Sequence, residues 1–380
     1  MDIISGKDAS NQALSLISKK YRLFKVLILT PQGGNNAIGL LIEQIIKSVK
    51  CAYVLKIPKG AREMEVLKIL IGAQLTDDVG LIVNFCDEAV LNAANEVCGK
   101  IKILSFLTEP NLNIVLSNSN FLVIDNNLIS NATCKSVANC YGLVCACSFY
   151  LMEQVFNRAV FGVNYNAQNL LEVENILQSL VLIPAALFKQ SMGKLMLTNI
   201  CVKLRKYISL TDYNNSYVNT LANSILDVSK HKTLTNGEAL IISSVLCFKM
   251  FKVLVNSLSL SAQIGFNSYM RIKNHKNLNK NFSFSGVTKS FFCNENLNEH
   301  INNFFKIKTS FAVVFNTYEN MFNKMLNIFK GLYLDRGICL NKFLIESNLI
   351  AAVNAIPEQF SHPCFATFLR DVGLLNKFDV

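Results

Sequence analysis

Short apolar runs alternate with helix-patterned stretches along this chain as far as Asp125, and none follows. The runs are Leu23–Leu29, Ala52–Ile57, Leu81–Phe85, Ile101–Leu107 and Phe121–Asp125. Helical spacing of apolar residues fills Ser10–Tyr21, Asn36–Val49, Ala61–Leu75 and Glu88–Lys100. Strands that alternate with helices imply a parallel sheet covered on both faces, because a parallel crossover needs a covering segment. From Asn131 onward only helical patterns remain: Val137–Phe156, apolar on all sides, then Leu170–Phe188 with Pro184 as a break, Gly193–Tyr207, Tyr217–Val228, Glu238–Leu258 and Phe311–Leu332. Ile264–Leu297, rich in Asn, Lys, Ser and Phe, reads as loop-like. The expected fold class is α/β: a Rossmann-like parallel sheet domain over residues 1–132, followed by an all-α domain over 133–380.

Composition narrows the setting. With 51% hydrophobic and 17% charged residues the chain can fill large cores. No apolar run reaches the roughly 18–20 residues of a membrane span, since Lys249 and Lys252 interrupt one candidate and Asn139 and Glu153 bound the other. The N-terminus has no basic region followed by an apolar core, so a cytoplasmic protein is expected. Twelve cysteines are scattered through apolar segments with no Cys-x-x-Cys pair. Cys145 and Cys147 are two apart on a helix and point to different faces, so the thiols read as small core residues of a reducing compartment. The net charge of +11 gathers at Lys203, Arg205 and Lys206 and at Arg271, Lys273, Lys276 and Lys280. These clusters carry few aromatics and match no nucleic-acid motif, so they read as a solvated basic face.

One stretch carries more than architecture. Gly80–Gly99, GLIVNFCDEAVLNAANEVCG, reads as a buried strand, a tight turn and a helix in which Ala89, Val90, Ala93, Ala94 and Val97 recur at helical spacing. In an α/β sheet such a turn opens on the carboxyl ends of the strands, where a glycine-rich version lets a diphosphate sit on free N–H groups. Here the turn is Asn84, Phe85, Cys86, Asp87 and Glu88. Two carboxylates about 5 Å from a diphosphate would be repelled by roughly 3 kcal/mol per charge pair at an effective dielectric near 20. Equally, Asp87 and Glu88 suit a helix start by the sign of its dipole. Gly33 and Gly34 lie at another strand-to-helix turn, but without Gly-x-Gly-x-x-Gly spacing they read as a plain turn with an Asn cap.

The Gly80–Gly99 stretch resembles the strand-GGGS-helix element of the iron-containing alcohol dehydrogenase, glycerol-1-phosphate dehydrogenase and dehydroquinate synthase superfamily. On that resemblance the glycines fall on Cys86, Asp87 and Glu88, the serine on Ala89, the aspartate on Asn92 and the lysine on Asn95. Ile103–Pro110, ILSFLTEP, is similar to the family strand that ends in Pro-Thr, with Thr108 retained. Asn120–Ile129 resembles the strand that ends in an aspartate before the helical domain. About ten residues separate the two, where family members insert a hairpin. His362–Leu375 is similar to the short terminal helix of the family. The resemblance implies a dehydroquinate synthase-like fold, with NAD(P) at Cys86, Asp87, Glu88, Asn92, Asn95 and Thr108 and one divalent metal held by an acid and histidines of the helical half.

The implied ligands are replaced. The run corresponding to the family's Ala-Gly-x-Gly-Asp is Ala138–Leu143, and no acid occurs from Thr133 to Met152. The counterpart of His-Gly-Glu-Ala is Asn236, Gly237, Glu238 and Ala239, and Ala222–Val228 reads ANSILDV where a further histidine is expected. His231, His275, His300 and His362 are all the histidines, none three or four residues from another, and each reads as a surface or capping residue. A relocated site would have to combine them with Glu238 or Asp227. The expectation is a divergent member of the fold without metal or nicotinamide cofactor and without a catalytic set, structural or regulatory in role, acting as a homo-oligomer or beside an active relative. The competing expectation is an active NAD(P)- and metal-dependent oxidoreductase on a polyol, alcohol or glycerol phosphate. A third is a nucleic-acid or anion binder.

Overall fold

The structure is a computed structural model that describes residues 2–6, 8–33, 36–58, 63–86, 88–108, 121–125, 128, 134–183, 187, 190–228, 236–260, 296–333, 364–372 and 374. The chain forms two compact units, one of Met1–Cys140 with Pro184–Lys206, the other of Tyr141–Ile183 with Tyr207–Val380.

The first unit is a parallel sheet of β1 (Asp2–Gly6), β2 (Lys25–Pro31), β3 (Cys51–Ile57), β4 (Val79–Asn84), β5 (Lys102–Phe106) and β6 (Phe121–Asp125), in the order β1-β6-β5-β4-β2-β3. Helices α1 (Ala9–Lys20), α2 (Asn36–Ser48), α3 (Met64–Gly72) and α4 (Glu88–Val97) connect the strands. The alternation expected from the sequence is present, and it divides the side chains into two layers. Val26, Ile28, Leu81, Val83, Leu104 and Val123 meet α1 and α2 on one face. Leu27, Leu29, Ile82 and Ile103 meet α3 and α4 on the other. Residues one apart on a strand point to opposite faces, so continuous apolar runs are what a sheet buried on both sides requires.

β1 departs from the sequence reading, which begins the fold at the first helix. Its five residues DIISG are mostly exposed and pair with β6 alone, so no apolar run marks it. An edge strand buries too little to leave a hydrophobic signature.

The second unit is helical. α5 (Cys134–Phe161) begins in the first unit and runs into the second, followed by α6 (Ala167–Val181), α7 (Ser191–Ile208, mostly in the first unit), α8 (Tyr217–Val228), α9 (Asn236–Asn256), α10 (Leu297–Tyr333) and α11 (Phe365–Asp371). Phe156 stands amid Phe251, Phe304, Phe311, Phe365 and Phe368, and Phe251 stacks on Phe365 at 3.8 Å between ring centres. Where the sheet unit is aliphatic, the helical unit is built on aromatic contacts. At the start of its core α5 and α9 touch backbone to backbone: a Cβ at Gly142 would lie 2.6 Å from Gly237 Cα. Only glycine permits that approach.

Among the described residues no helix is long and apolar enough to cross a membrane. The described cysteines are all free thiols, Cys51 exposed, Cys86 half-buried and the others buried. Residues 264–295 of the stretch read as loop-like, with His231, His275 and His362, lie outside the described residues.

Candidate functional site

The carboxyl ends of the strands are where this topology can hold a ligand, and Asn84 stands there at the end of β4, buried and paired in register with Ser105 of β5. Its side chain turns back on the loop. Asn84 Oδ1 accepts the backbone N–H of Cys86 at 3.1 Å, and Asn84 Nδ2 donates to Cys86 O at 3.4 Å. This closed side-chain-to-backbone ring is what an Asn at a turn favours. It commits one N–H of the loop, which a glycine-rich turn would leave for an anion.

Thr108 comes to the same loop from the end of β5, with Oγ1 donating to Phe85 O at 3.5 Å. Phe85 itself is fully buried and stacks on Phe106 at 4.6 Å. Thr108 is thus tied, through Phe85, to the loop that carries Cys86. Asp87 lies outside the described residues, and Glu88 opens α4 with its side chain outside them. Asn92 and Asn95 follow on α4, both half-buried.

Asn95 and Ser105 are sites that sequence reasoning does not explain. Among the described residues, both amide atoms of Asn95 and the hydroxyl of Ser105 are buried without a hydrogen-bond partner. Each such group costs about 1–3 kcal/mol while unpaired. They are neutral, and neither supplies the positive charge that a diphosphate seeks.

Asp125 has a defined task. At the end of β6 its Oδ2 accepts the Ser10 N–H at 2.9 Å, so a buried carboxylate sits at the first turn of α1. The acid offsets the helix dipole and satisfies an amide that the helix leaves open.

In the helical unit the two runs that the family resemblance aligns with metal-binding motifs touch through their glycines. Gly142, in the run Ala138–Leu143, lies against Gly237, in the run Asn236–Leu240, and Tyr141, Leu143 and Glu238 beside them are buried. Among the described residues no group of three or more His, Cys, Asp or Glu is placed to hold a metal ion. His300, read from its polar flanks as a surface or capping residue, is instead buried with its ring edge-on to Phe161 at 4.8 Å, and burial lowers its pKa. The flanks misled because His300 falls on the inner face of the long α10, with Leu297, Ile301 and Phe304.

Glu153 is the buried acid that sequence reasoning missed. Both of its oxygens lie within reach of the Tyr217 N–H that opens α8, at 3.2 and 3.3 Å, and desolvation pushes its pKa up to about 8. Tyr150, Asp212, Cys247 and Cys364 stand in its electrostatic neighbourhood. With its oxygens directed at a backbone amide, Glu153 serves as a helix cap.

The sequence matches no protein-family model, and no curated protein matches it. Solved structures do share its fold. Glycerol dehydrogenase from Schizosaccharomyces pombe is 12% identical, with 99% of this chain and 89% of that one covered at a TM-score of 0.59. An iron-containing alcohol dehydrogenase from Corynebacterium glutamicum is 8% identical over 99% and 94% of the two chains, at a TM-score of 0.58. Maleylacetate reductase from Agrobacterium tumefaciens is 9% identical over 98% and 94%, also at 0.58. A parallel α/β unit followed by helices, with likenesses that run nearly end to end, shows that this chain has the fold of these glycerol dehydrogenase, iron-containing alcohol dehydrogenase and maleylacetate reductase structures.

Proposed function

We propose that this chain keeps the dehydrogenase framework without binding a divalent metal or a nicotinamide dinucleotide, and that it serves a structural or regulatory role in the cytoplasm through a protein partner. The observation that carries this reading is the Asn84–Cys86 ring at the end of β4. A diphosphate bound at that turn would have to displace Asn84 from the Cys86 N–H and would find no glycine backbone to approach, since Cys86, Asp87 and Glu88 stand at those positions. The residues at the turn therefore do not fit a dinucleotide.

The donor set of the helical unit does not fit the metal either. Asn236 stands where the family resemblance implies a histidine, and Gly142 and Gly237 fill the neighbouring space with backbone. An amide and a glycine contact offer no anionic or imidazole ligand set.

Thermal unfolding in the presence of NAD+, NADH, NADP+, NADPH, zinc and ferrous iron tests this proposal. A ligand at a hundred times its dissociation constant adds about 2.7 kcal/mol to stability, enough to raise the melting temperature visibly. The expected result is no shift with any of them. A concentration-dependent rise with a nucleotide or a metal would instead favour an oxidoreductase with an altered site.

A further inference from the structure

Glu153 is a carboxyl group enclosed without a cation. It projects from α5 and is 2% exposed. The ionisable groups that face it come from each neighbouring element: Tyr150 from α5 itself, Asp212 from the turn after α7, Tyr217 from the start of α8, Cys247 from α9 and Cys364 from α11. None of these carries a positive charge, and among the described residues the one hydrogen-bond donor to Glu153 is the neutral Tyr217 N–H. In such a site a carboxylate costs far more than a carboxylic acid.

The cover over this acid is uneven. Tyr217, Cys247 and Cys364 are buried in the helical core, whereas Asp212 is exposed. Asp212 belongs to residues 209–216, which link the end of α7 to the start of α8, and within that segment only Tyr213 and Ser216 are buried. The segment rests on α5 through the Tyr213 ring, edge-on to Tyr150 at 5.3 Å between centres, and through a side-chain hydrogen bond between Thr211 and Tyr150. Lifting it exposes little apolar surface. Parting α9 or α11 would break the Phe251–Phe365 stack and its neighbours, so the low-cost opening lies at the segment.

We propose that residues 209–216 form a pH-sensitive flap, closed over Glu153 while the acid keeps its proton and lifted when that proton passes to water. An ionised Glu153 is unpaired by any cation and repels the Asp212 carboxylate, so both the need for water and the charge repulsion act on the same segment. The Tyr150–Tyr213 contact opens with it, and the start of α8 loses the cap that Glu153 gives to the Tyr217 N–H.

The direction of the response follows from linkage. Burial holds the Glu153 pKa up at about 8 in the closed form, and contact with water returns it toward the ordinary 4.5 in the lifted form. Between those values the lifted form binds fewer protons, so lifting grows as pH rises and levels off once the closed form ionises too. Neutral pH falls inside that window. The inference stands on the helical unit alone and holds whether or not the chain binds a nucleotide or a metal.

Amide hydrogen exchange of the full chain between about pH 5 and about pH 9, corrected for the intrinsic pH dependence of exchange, tests it. The amides to follow are those of Asn215, Ser216 and Tyr217, which the closed segment bonds to Asp212 O, Tyr213 O and Glu153. Their opening should rise by up to about tenfold per pH unit until about pH 8 and then level off, while α9 keeps its protection. Glu153→Gln should hold them at the closed level throughout. Opening that does not change with pH would overturn the proposal, as would a rise shared equally by α9, which would mean that the whole unit loosens. The natural chain alone decides both of these. A pH dependence that persists in a folded Glu153→Gln variant would overturn it as well.

Discussion

The family resemblance aligns glycine-bearing motifs with two places in this molecule, and the two differ. At the α5–α9 crossing Gly237 is kept, pressed against Gly142 with no room for a side chain. At the β4–α4 turn Cys86, Asp87 and Glu88 stand where the resemblance implies glycines, and the Asn84 side chain closes over the loop. A glycine that lets backbone meet backbone is held by packing, since close-packed interiors cannot absorb even one extra methyl cheaply. A glycine that lets backbone meet a ligand is held only while the ligand matters.

The largest expected effect comes from breaking the kept contact. Gly142→Ala drives a methyl into the Gly237 backbone, which cannot rotate away, and should cost at least about 3 kcal/mol. Urea unfolding followed by circular dichroism measures it. A loss under about 1 kcal/mol would mean that the two helices separate easily, and the contrast between the two sites would weaken.

Next comes the buried acid of the helical unit. Glu153 has an ordinary pKa near 4.5 in the unfolded chain and is pushed up to about 8 in the folded one. Between those values the folded state holds a proton that the unfolded state has released, so stability falls as pH rises through that window. Glu153→Gln keeps an acceptor for the Tyr217 N–H and removes the titration. It should leave stability near pH 4.5 almost unchanged and raise it increasingly as pH climbs toward 8, by up to about 1.4 kcal/mol per pH unit. Melting curves across that range check the sign, and an equal effect at both ends would show that the cap and not the charge matters.

Smaller effects belong to the altered turn. Asn84→Ala leaves the Cys86 N–H without its side-chain acceptor and should cost about 1 kcal/mol. Asn95→Leu, which replaces unpaired amide atoms with apolar ones of similar volume, should be neutral or stabilising by up to about 1 kcal/mol. Both are read from denaturant midpoints. A marked loss on Asn95→Leu would point to a partner for that amide and sharpen the search for a ligand at the turn.

Much of the architecture was legible because its physics is local. Runs such as Leu81–Val83 and Ile103–Leu104 are apolar on both strand faces, the mark of a doubly covered sheet, and the all-round apolar Val137–Phe156 marked a buried helix. What stayed hidden depends on position in space. β1 is too short and too exposed to leave a pattern. The Gly142–Gly237 contact joins residues far apart in the chain, and His300 is buried by the turn of a long helix whose first residues are polar. At the candidate site the sequence singled out the β4–α4 loop, and Thr108 bonds to Phe85 within it. The closing of that loop by Asn84 needed side-chain geometry, since an Asn at a strand end is equally at home facing solvent.

The central claim is that the β4–α4 turn no longer accepts a dinucleotide. Isothermal titration of NADH into the full chain, beside a variant with Cys86, Asp87 and Glu88 all changed to glycine, tests it most directly. The account predicts no measurable binding by the natural chain and measurable binding by the variant. Micromolar binding by the natural chain, undiminished relative to the variant, would contradict it.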